Sequence, residues 1–422
     1  MKVLQLLEAH GRNLAHFDAW QGFNPLEIPL AIFDGEHSYL WRHPCPPETF
    51  EHLTAHPKVT VMRGRYTDLT AHSHMNIAGV DTATILYDPL DAETTPLEWS
   101  ALITHEAFHV YQEKTFRQAY ANEADLLLYP VDNAALLKLR RMETYALREA
   151  LRATNKQEKI AWAAKTLKVR RQRFEMMETA FANYERSTEL REGTAFYIEN
   201  KVNGKVLDLP VEGFAATRVR QRCYKTGAAL CALLETFTND WQKRLESSGD
   251  LYLDGLLAEA LPATSISKRL SEEQVNDLTT RAYEDVEKLR LERKQLRTHL
   301  DTAPGWRVTV IAPTEAPLKL QGFDPMNVNL VEGGVLHKRY LKLGSSKGEL
   351  EVFGTQCLTQ PFGEHLLQSG VKCVTVYLEA EPSVTENDRA VQIKADGFMA
   401  LFTQVNVWSE GQHIVLELGK QV

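Results

Sequence analysis

The chain has 422 residues, of which 44% are hydrophobic and 25% are charged, a composition typical of globular proteins with about two or three domains. Its formal net charge of -8 argues against a nucleic acid or an anionic membrane as partner, because both favour a basic protein surface. No segment approaches the roughly 20 apolar residues of a membrane span, and Glu8 interrupts the N-terminal apolar run where a signal peptide would continue. The five cysteines are odd in number and form no CxxC pair, which favours a reduced, cytoplasmic protein without thiolate zinc sites.

Residues 1–95 are predicted to form a small α/β region that packs on the following domain. Asp34 and Gly35 tolerate the positive φ of a tight turn and stand between apolar runs, so IPLAIFDGEHSYLWRH is predicted to be a β-hairpin. Two further strands are expected in KVTVMRG and DTATILYDP. The segment HMNIAGVD, residues 74–81, is interpreted as an edge strand along which a substrate could lie.

The remainder of the chain divides into three parts by its hydrophobic pattern. Residues 96–265 have the apolar spacing of helices and are predicted to form a mostly helical domain. Residues 266–303 predict one long connecting helix that either packs on its own domain, which we favour, or forms a coiled-coil dimer. Residues 304–422 alternate short β-rich runs with Gly, Asn and Asp, which predicts an antiparallel sandwich or barrel. The expected fold is therefore multidomain α+β.

The segment THEAFHVYQE contains two histidines four residues apart, with a glutamate directly after the first. On a helix, residues i and i+4 project from one face, so His105 and His109 can offer two imidazole nitrogens to one metal ion. Glu106 would lie beside the metal's water, where its carboxylate can take a proton and later give it to a leaving amine. The alternatives are a chance occurrence of the spacing, or two core histidines that are hydrogen-bonded to carbonyl groups.

A catalytic zinc site usually has three protein ligands, and YERSTELREGTAFYIEN provides a candidate for the third. This segment resembles the third-ligand helix of the gluzincin metallopeptidases, where Glu-Gly-x-Ala follows HExxH, and the resemblance implies that Glu192 is a ligand. The spacer after His109 is much longer than in the aminopeptidase N-like group, and an inserted helical pair within 133–201 accounts for the difference. The small Gly193 and Ala195 are expected to let this helix approach the HExxH helix closely.

Other carboxylates lie near one face of the same predicted helix. Glu189 competes with Glu192 for the ligand position, but it lies one helical turn earlier, about 5 Å along the axis, so we favour Glu192. Glu189 is then interpreted as a substrate-binding residue for an amine, or as an acceptor for the N–H of a ligand. Glu185 and Glu199 are expected to belong to a solvated acidic stripe.

The segment CYKTGAALCALLE is similar to the Tyr-x-Lys-Gly-Ala helix start of aminopeptidase N-like gluzincins. Tyr224, Gly227 and Ala228 match, whereas Thr226 stands where the family has lysine. This resemblance implies that the Tyr224 hydroxyl donates to the oxygen that becomes charged in the transition state. The alternative is a tyrosine of the helix core. The family's Gly-x-Met-Glu-Asn segment is missing, so aminopeptidase specificity is not implied.

Together these features predict a zinc metallopeptidase of gluzincin type that holds one Zn²⁺ per chain. His105, His109 and Glu192 are the expected ligands, Glu106 is the expected general base and acid, and Tyr224 is the expected oxyanion donor. The substrate would be a peptide or protein. Two alternatives remain open, a hydrolase for non-peptide amides or esters and a binding or scaffold protein with a structural zinc. The sequence leaves the cleavage specificity and the oligomeric state undetermined.

Overall fold

A computed structural model describes residues 2–67, 69–91, 93–118, 120–324, 327–363, 369–387 and 390–419. The chain forms two compact units, which confirms the expected multidomain α+β fold. The first unit comprises Met1–Ala121 and Ala135–Ala282, so the predicted N-terminal region and helical domain lie together. The second comprises Asn122–Ala134 and Tyr283–Val422, and it therefore includes a short segment from the predicted helical part.

The first unit contains a six-stranded sheet built from residues 30–86. Its strands are β1 (Leu30–Phe33), β2 (His37–Trp41), β3 (Glu51–His52), β4 (Val59–Arg63), β5 (Ser73–Ile77) and β6 (Val80–Leu86). The order is β3-β4-β2-β1-β6-β5, with β1 and β6 parallel and every other pair antiparallel. The predicted hairpin is confirmed, since β1 pairs with β2 across a turn in which Gly35 has a φ of 95°.

Most helices of the chain belong to the first unit. They are α1 (Lys2–Asn13), α2 (Pro96–Thr115), α4 (Ala134–Arg152), α5 (Lys156–Glu175), α6 (Thr179–Thr188), α7 (Thr194–Asn203), α8 (Val219–Phe237), α9 (Trp241–Ser247) and α10 (Leu253–Ala260). A 3₁₀ turn spans Pro25–Glu27, and a π-helical turn, Glu189–Gly193, joins α6 to α7. Helix α2 begins at a capping box between Thr95 and Glu98, with Pro96 in its first turn.

Helix α2 lies in the middle of the first core. Ile103, Phe108 and Val110 are buried in one apolar cluster with Ile85 of the sheet and Leu230 of α8. A helix covered on several sides is apolar around most of its circumference, so any polar group on it needs a partner.

A second group of buried side chains in this unit is charged. Salt bridges connect three arginines to three glutamates contributed by α4, α5, α6, the π-helical turn and α8; the members are Glu143, Arg170, Arg173, Glu185, Glu189 and Arg222. Two of the tightest contacts are Arg222 Nη2 to Glu143 Oε1 at 2.6 Å and Arg170 Nη2 to Glu189 Oε1 at 2.6 Å. We call this group the buried charge cluster. Its charges balance, which offsets part of the cost of removing them from water.

Helix α11 (Glu272–Thr302) is the predicted connecting helix. It begins after a capping box, in which Ser271 and Gln274 exchange two hydrogen bonds. Leu278 packs on Leu139 and Met142 of α4. The apolar face of its first turns is therefore covered by the chain's own domain, as we favoured.

The second unit is a β-sandwich with a short helix, α3 (Asp125–Leu128). Its strands are β7 (Trp306–Ile311), β8 (Lys319–Phe323), β9 (Val328–Val331), β10 (Gly334–His337), β11 (Tyr340–Ser345), β12 (Gly348–Phe353), β13 (Gln356–Pro361), β14 (Val371–Leu378), β15 (Ser383–Asn387), β16 (Ala390–Ala395), β17 (Phe398–Phe402), β18 (Val405–Glu410) and β19 (His413–Leu418). They form two sheets, β18-β19-β7-β14-β13-β10-β9 and β15-β16-β17-β12-β11-β8.

Both sheets of the sandwich contribute to one apolar core, for example Val308 of β7 and Leu343 of β11. Leu127 of α3 is buried in the same core, which explains why residues 122–134 belong to this unit. The predicted antiparallel β domain is confirmed, except that among the described strands β19 runs parallel to β7. The final strand of the domain, β19, pairs with its first strand, β7. The alternation of apolar and polar residues within a strand does not indicate whether such a distant partner runs parallel or antiparallel.

All five cysteines are free thiols, and Cys45 is the exposed one among them. Among the described residues, no helix combines the length and the apolar character that crossing a bilayer requires.

The buried charge cluster gives a prediction about stability. Replacing Arg173 by methionine removes a cation that contacts both Glu143 and Glu185, so the free energy of unfolding should fall by about 3–5 kcal/mol in a urea titration. Arg171→Met is the matched control, because Arg171 lies on the same helix but is exposed, and its effect should stay within about 0.5 kcal/mol. Equal effects of the two changes would contradict the role given to the cluster.

Candidate metal centre

The two histidines of the HExxH segment lie side by side on α2, as the i, i+4 spacing predicts. Their ring centroids are 4.9 Å apart, and each residue is 5% exposed. Imidazoles buried this deeply need hydrogen bonds or a metal ion.

Glu192 meets both histidines from the π-helical turn. Its Oε2 atom lies 3.7 Å from His105 Nε2 and 3.4 Å from His109 Nε2. One ligand atom from each residue can be chosen so that all three lie within 4.8 Å of one another. Because a π-helical turn contains an extra residue, it changes the direction of its side chains relative to a regular helix, and such turns are frequent at functional sites. The structure thus brings together the three residues predicted as ligands.

The other ring nitrogen of each histidine is hydrogen-bonded. His105 Nδ1 lies 3.0 Å from Glu199 Oε2, and His109 Nδ1 lies 2.7 Å from Gln112 Oε1. The Gln112 amide nitrogen donates to Thr194 Oγ1, so the amide oxygen is the atom left to accept from His109. Both Nδ1 atoms therefore act as N–H donors, and both Nε2 atoms face Glu192. This is how metal-binding histidines are usually held.

The expectation of a solvated acidic stripe is wrong. Glu199 hydrogen-bonds to His105, and Glu185 is buried in the charge cluster. His105 and Arg173, the partners of Glu199 and Glu185, lie on other helices than these glutamates, so helical periodicity did not reveal them.

The charges of the three residues depend on one another. Burial lowers the pKa of His105, but its hydrogen bonds to Glu192 and Glu199 outweigh this effect and raise the pKa to about 10. Burial lowers the pKa of His109. Burial opposes ionisation of Glu192 too, yet the two histidines hold its pKa well below the usual range. The Glu192 carboxylate is thus ionised, which is the form in which a carboxylate binds a metal ion.

Glu106 lies beside this group and is 7% exposed. Among the described residues, no group forms a hydrogen bond with its carboxylate. Burial is the main reason why the pKa of Glu106 is raised to about 7. A carboxylate with a pKa near neutrality can both accept and release a proton during a reaction.

Tyr224 of α8 covers the site from the side of His105. Its ring is nearly parallel to that of His105, with centroids 6.0 Å apart and an interplanar angle of 16°. Burial raises the pKa of Tyr224, so its hydroxyl keeps its proton at neutral pH. The sequence analysis did not identify Arg220, whose Nη2 donates to Glu192 Oε1 at 2.9 Å and to Tyr224 Oη at 3.3 Å. Arg220 stands one helical turn before Tyr224, so the two side chains share a helix face, and this spacing could have identified Arg220 from the sequence.

Glu189 lies in a different environment from the predicted one. Its two carboxylate oxygens accept hydrogen bonds from Arg170 Nη1 and Nη2, both at 2.6 Å. The hydroxyl of Thr226, which stands where the resembled family has lysine, also donates to Glu189 at 2.7 Å. Because Glu189 is 1% exposed and fully engaged, the interpretation that it binds a substrate amine is corrected. Its position indicates a structural role in the π-helical turn.

Helix α7, which begins directly after Gly193, packs closely against α2, as expected, and Gly193 itself also makes a close approach to α8. A Cβ atom on Gly193 would lie 2.5 Å from Gly227 Cα, and one on Gly227 would lie 2.5 Å from the Glu189 carbonyl oxygen. No real Cβ atom tolerates such distances. The two glycines thus set the distance between the π-helical turn and α8.

Residues 74–77 of the segment HMNIAGVD lie in β5, at one end of the described sheet, as interpreted; the interpretation is wrong for the rest, because the chain turns at Ala78 and Gly79, and Val80 and Asp81 begin the inner strand β6. His74 of β5 lies near the site, with its ring centroid 6.2 Å from that of His109. It also contacts Glu113, which accepts hydrogen bonds from Arg191 and Tyr120. His74 is the first residue of the segment HMNIAGVD, whereas Glu113, Arg191 and Tyr120 were not predicted from the sequence.

A second group of possible metal ligands consists of Glu185, Glu189 and Cys223. Both carboxylates are bonded to arginines of the buried charge cluster. Burial and the nearby glutamates raise the pKa of the Cys223 thiol, which disfavours the thiolate. Both oxygens of Glu185 and of Glu189 already accept from arginines, whereas Glu192 keeps Oε2 directed at the two histidines, so the group around Glu192 is the better candidate.

Comparisons of the chain with protein-family models, curated proteins and solved structures gave no match.

The close contact between Gly193 and Gly227 gives a second prediction, which concerns stability. Gly193→Ala should lower the free energy of unfolding by about 1–3 kcal/mol, because its Cβ forces the π-helical turn away from α8. Gly11→Ala on α1 is the control; nothing lies within 4 Å of its added Cβ, and the better helix propensity of alanine should stabilise the protein slightly. Thermal unfolding of both variants checks the difference. A Gly193→Ala protein as stable as the wild type would contradict the proposed contact.

Proposed function

We propose that the protein is a zinc-dependent metallopeptidase of gluzincin type, with His105, His109 and Glu192 as the ligands. One observation carries this proposal. The three ligand atoms converge in a buried site while both histidine Nδ1 atoms are held by acceptors and the Glu106 carboxylate lies unpaired beside them.

The set of donor atoms fits zinc. Two imidazole nitrogens and one carboxylate oxygen are a usual protein ligand set for a catalytic Zn²⁺, and they leave a fourth position for water or substrate. The carboxylate of Glu199 and the amide oxygen of Gln112 hold the imidazoles in the orientation that directs Nε2 to the ion.

Two side chains beside the ligands, Glu106 and Tyr224, have roles in the proposed hydrolysis. When bound, zinc makes water a stronger acid and polarises a carbonyl group. Glu106 accepts the proton from the attacking water and returns it to the departing nitrogen, for which a pKa of about 7 is suitable. The protonated hydroxyl of Tyr224 donates a hydrogen bond to the substrate oxygen as negative charge develops there.

A peptide is the substrate class that the surroundings of the site support best. At the outermost strand of a sheet, backbone N–H and C=O groups are available to pair with an extended chain. Through His74, β5 lies next to His109, so a peptide paired with β5 would pass the metal. A non-peptide amide or ester remains the alternative substrate.

Metal content is the first test of the proposal. The purified protein should contain about one zinc per chain by elemental analysis, and His105→Ala or His109→Ala should remove it because each change deletes a ligand. His16→Ala is the matched control, since His16 is exposed and far from α2 in the sequence. A folded wild-type protein that neither contains nor binds zinc would refute the metal assignment.

Separating catalysis from metal binding is the second test. Glu106→Gln keeps the shape of the side chain but removes the base, so zinc content should remain unchanged while peptide hydrolysis falls at least about a hundredfold. Digestion of a peptide library, read by mass spectrometry, measures this loss, and the exposed Glu93→Gln serves as control. Full activity in Glu106→Gln would assign the proton transfer to another group. Absence of hydrolysis in the zinc-loaded wild type would instead favour a structural metal in a binding protein.

A further inference from the structure

Arg220 and Tyr224 lie one helical turn apart on α8, so both side chains extend from the same face of that helix. The Nη2 atom of Arg220 donates to Glu192 Oε1 at 2.9 Å and to Tyr224 Oη at 3.3 Å. One guanidinium nitrogen therefore bridges the proposed third ligand and the proposed oxyanion donor. Because its two N–H bonds point in fixed directions, the positions of the two acceptors are linked.

The contact with Arg220 distinguishes the two oxygens of Glu192. Oε2 faces the Nε2 atoms of His105 and His109, whereas Oε1 accepts from Arg220. A carboxylate held in this way presents one oxygen to the metal. The contact thus preserves a coordination position that a bidentate glutamate would occupy.

The hydrogen bonds of Arg220 also determine whether the hydroxyl group of Tyr224 acts as a donor or as an acceptor. Its oxygen accepts the N–H of Arg220, so its own O–H remains the group that can donate. A cation that donates to the oxygen also polarises the O–H bond and strengthens it as a donor. Arg220 is thereby connected to both proposed functions, ligation and stabilisation of negative charge.

We propose that Arg220 is a positioning residue, which holds Glu192 as a one-oxygen ligand and directs the Tyr224 hydroxyl toward the substrate oxygen. This inference rests on the proposed function, but its effect on zinc binding can be measured without any substrate.

Zinc affinity gives the first measurement. In Arg220→Gln, the dissociation constant for zinc, determined by competition with a chelator, should increase about 10- to 100-fold, the usual effect of removing a partner of a ligand. Arg220→Lys keeps the charge and should recover part of the affinity. Arg218→Gln is the matched control, since Arg218 is exposed at the start of the same helix. Unchanged zinc binding in Arg220→Gln would overturn the inference, because Arg220 would then have no effect on Glu192 as a ligand. Tighter binding would also overturn it, because Arg220 would then compete with the metal for Glu192.

A double-mutant cycle on zinc-saturated protein gives the second measurement. Arg220→Gln alone should lower kcat for peptide hydrolysis at least about tenfold with KM changed less than about twofold, since the arginine acts through Tyr224. In the Tyr224→Phe background, the same change should lower kcat much less. Additive effects, or an increase in KM alone, would show that Arg220 binds substrate or only stabilises the fold. If the wild type hydrolyses no peptide, the proposed function fails, and the zinc measurement still decides whether Arg220 holds Glu192.

Discussion

The position of Glu192 depends on how the π-helical turn Glu189–Gly193 is fixed at both ends. At its start, the carboxylate of Glu189 is bonded to Arg170 within the buried charge cluster. At its end, Gly193 touches Gly227 of α8 so closely that a side chain on either residue would force the backbone to move. Buried charges are costly to remove from water, and apolar residues would often stabilise a core as well or better. Here the charges define the position of a turn, which apolar contacts specify less precisely.

Helix α2, which carries the two histidines, is also held in position by its contacts. Phe108 and Val110, which flank His109 in the sequence, are buried in the apolar core, so the histidines of this helix have little freedom to move. Glu199 and Gln112 then determine the orientation of the two imidazoles. The candidate site is thus built on rigid elements, a condition for holding several ligands at distances suitable for one ion. Within the described part of the candidate site, the Glu106 carboxylate has no hydrogen-bond partner, as expected for a group that must exchange protons.

Sequence patterns predicted the features of the site that depend on local spacing. The i, i+4 relation of His105 and His109 was sufficient to place both on one face, and the Glu-Gly pair selected Glu192. The hydrogen bonds of Glu189 could not be predicted, because its partners Arg170 and Thr226 come from other helices. The π-helical turn was missed as well, since helical periodicity before and after it reads as one continuous helix. In the second unit, the alternation of short strands indicated a β domain but not its single parallel pair.

The central claim is that His105, His109 and Glu192 bind one zinc ion together. Anomalous X-ray diffraction at the zinc absorption edge, on crystals of protein purified without chelators, tests this claim most directly. Our account predicts one strong peak about 2.0–2.2 Å from both Nε2 atoms and from Oε2 of Glu192. A peak between Glu185, Glu189 and Cys223, or a zinc ion bound by surface residues alone, would contradict it.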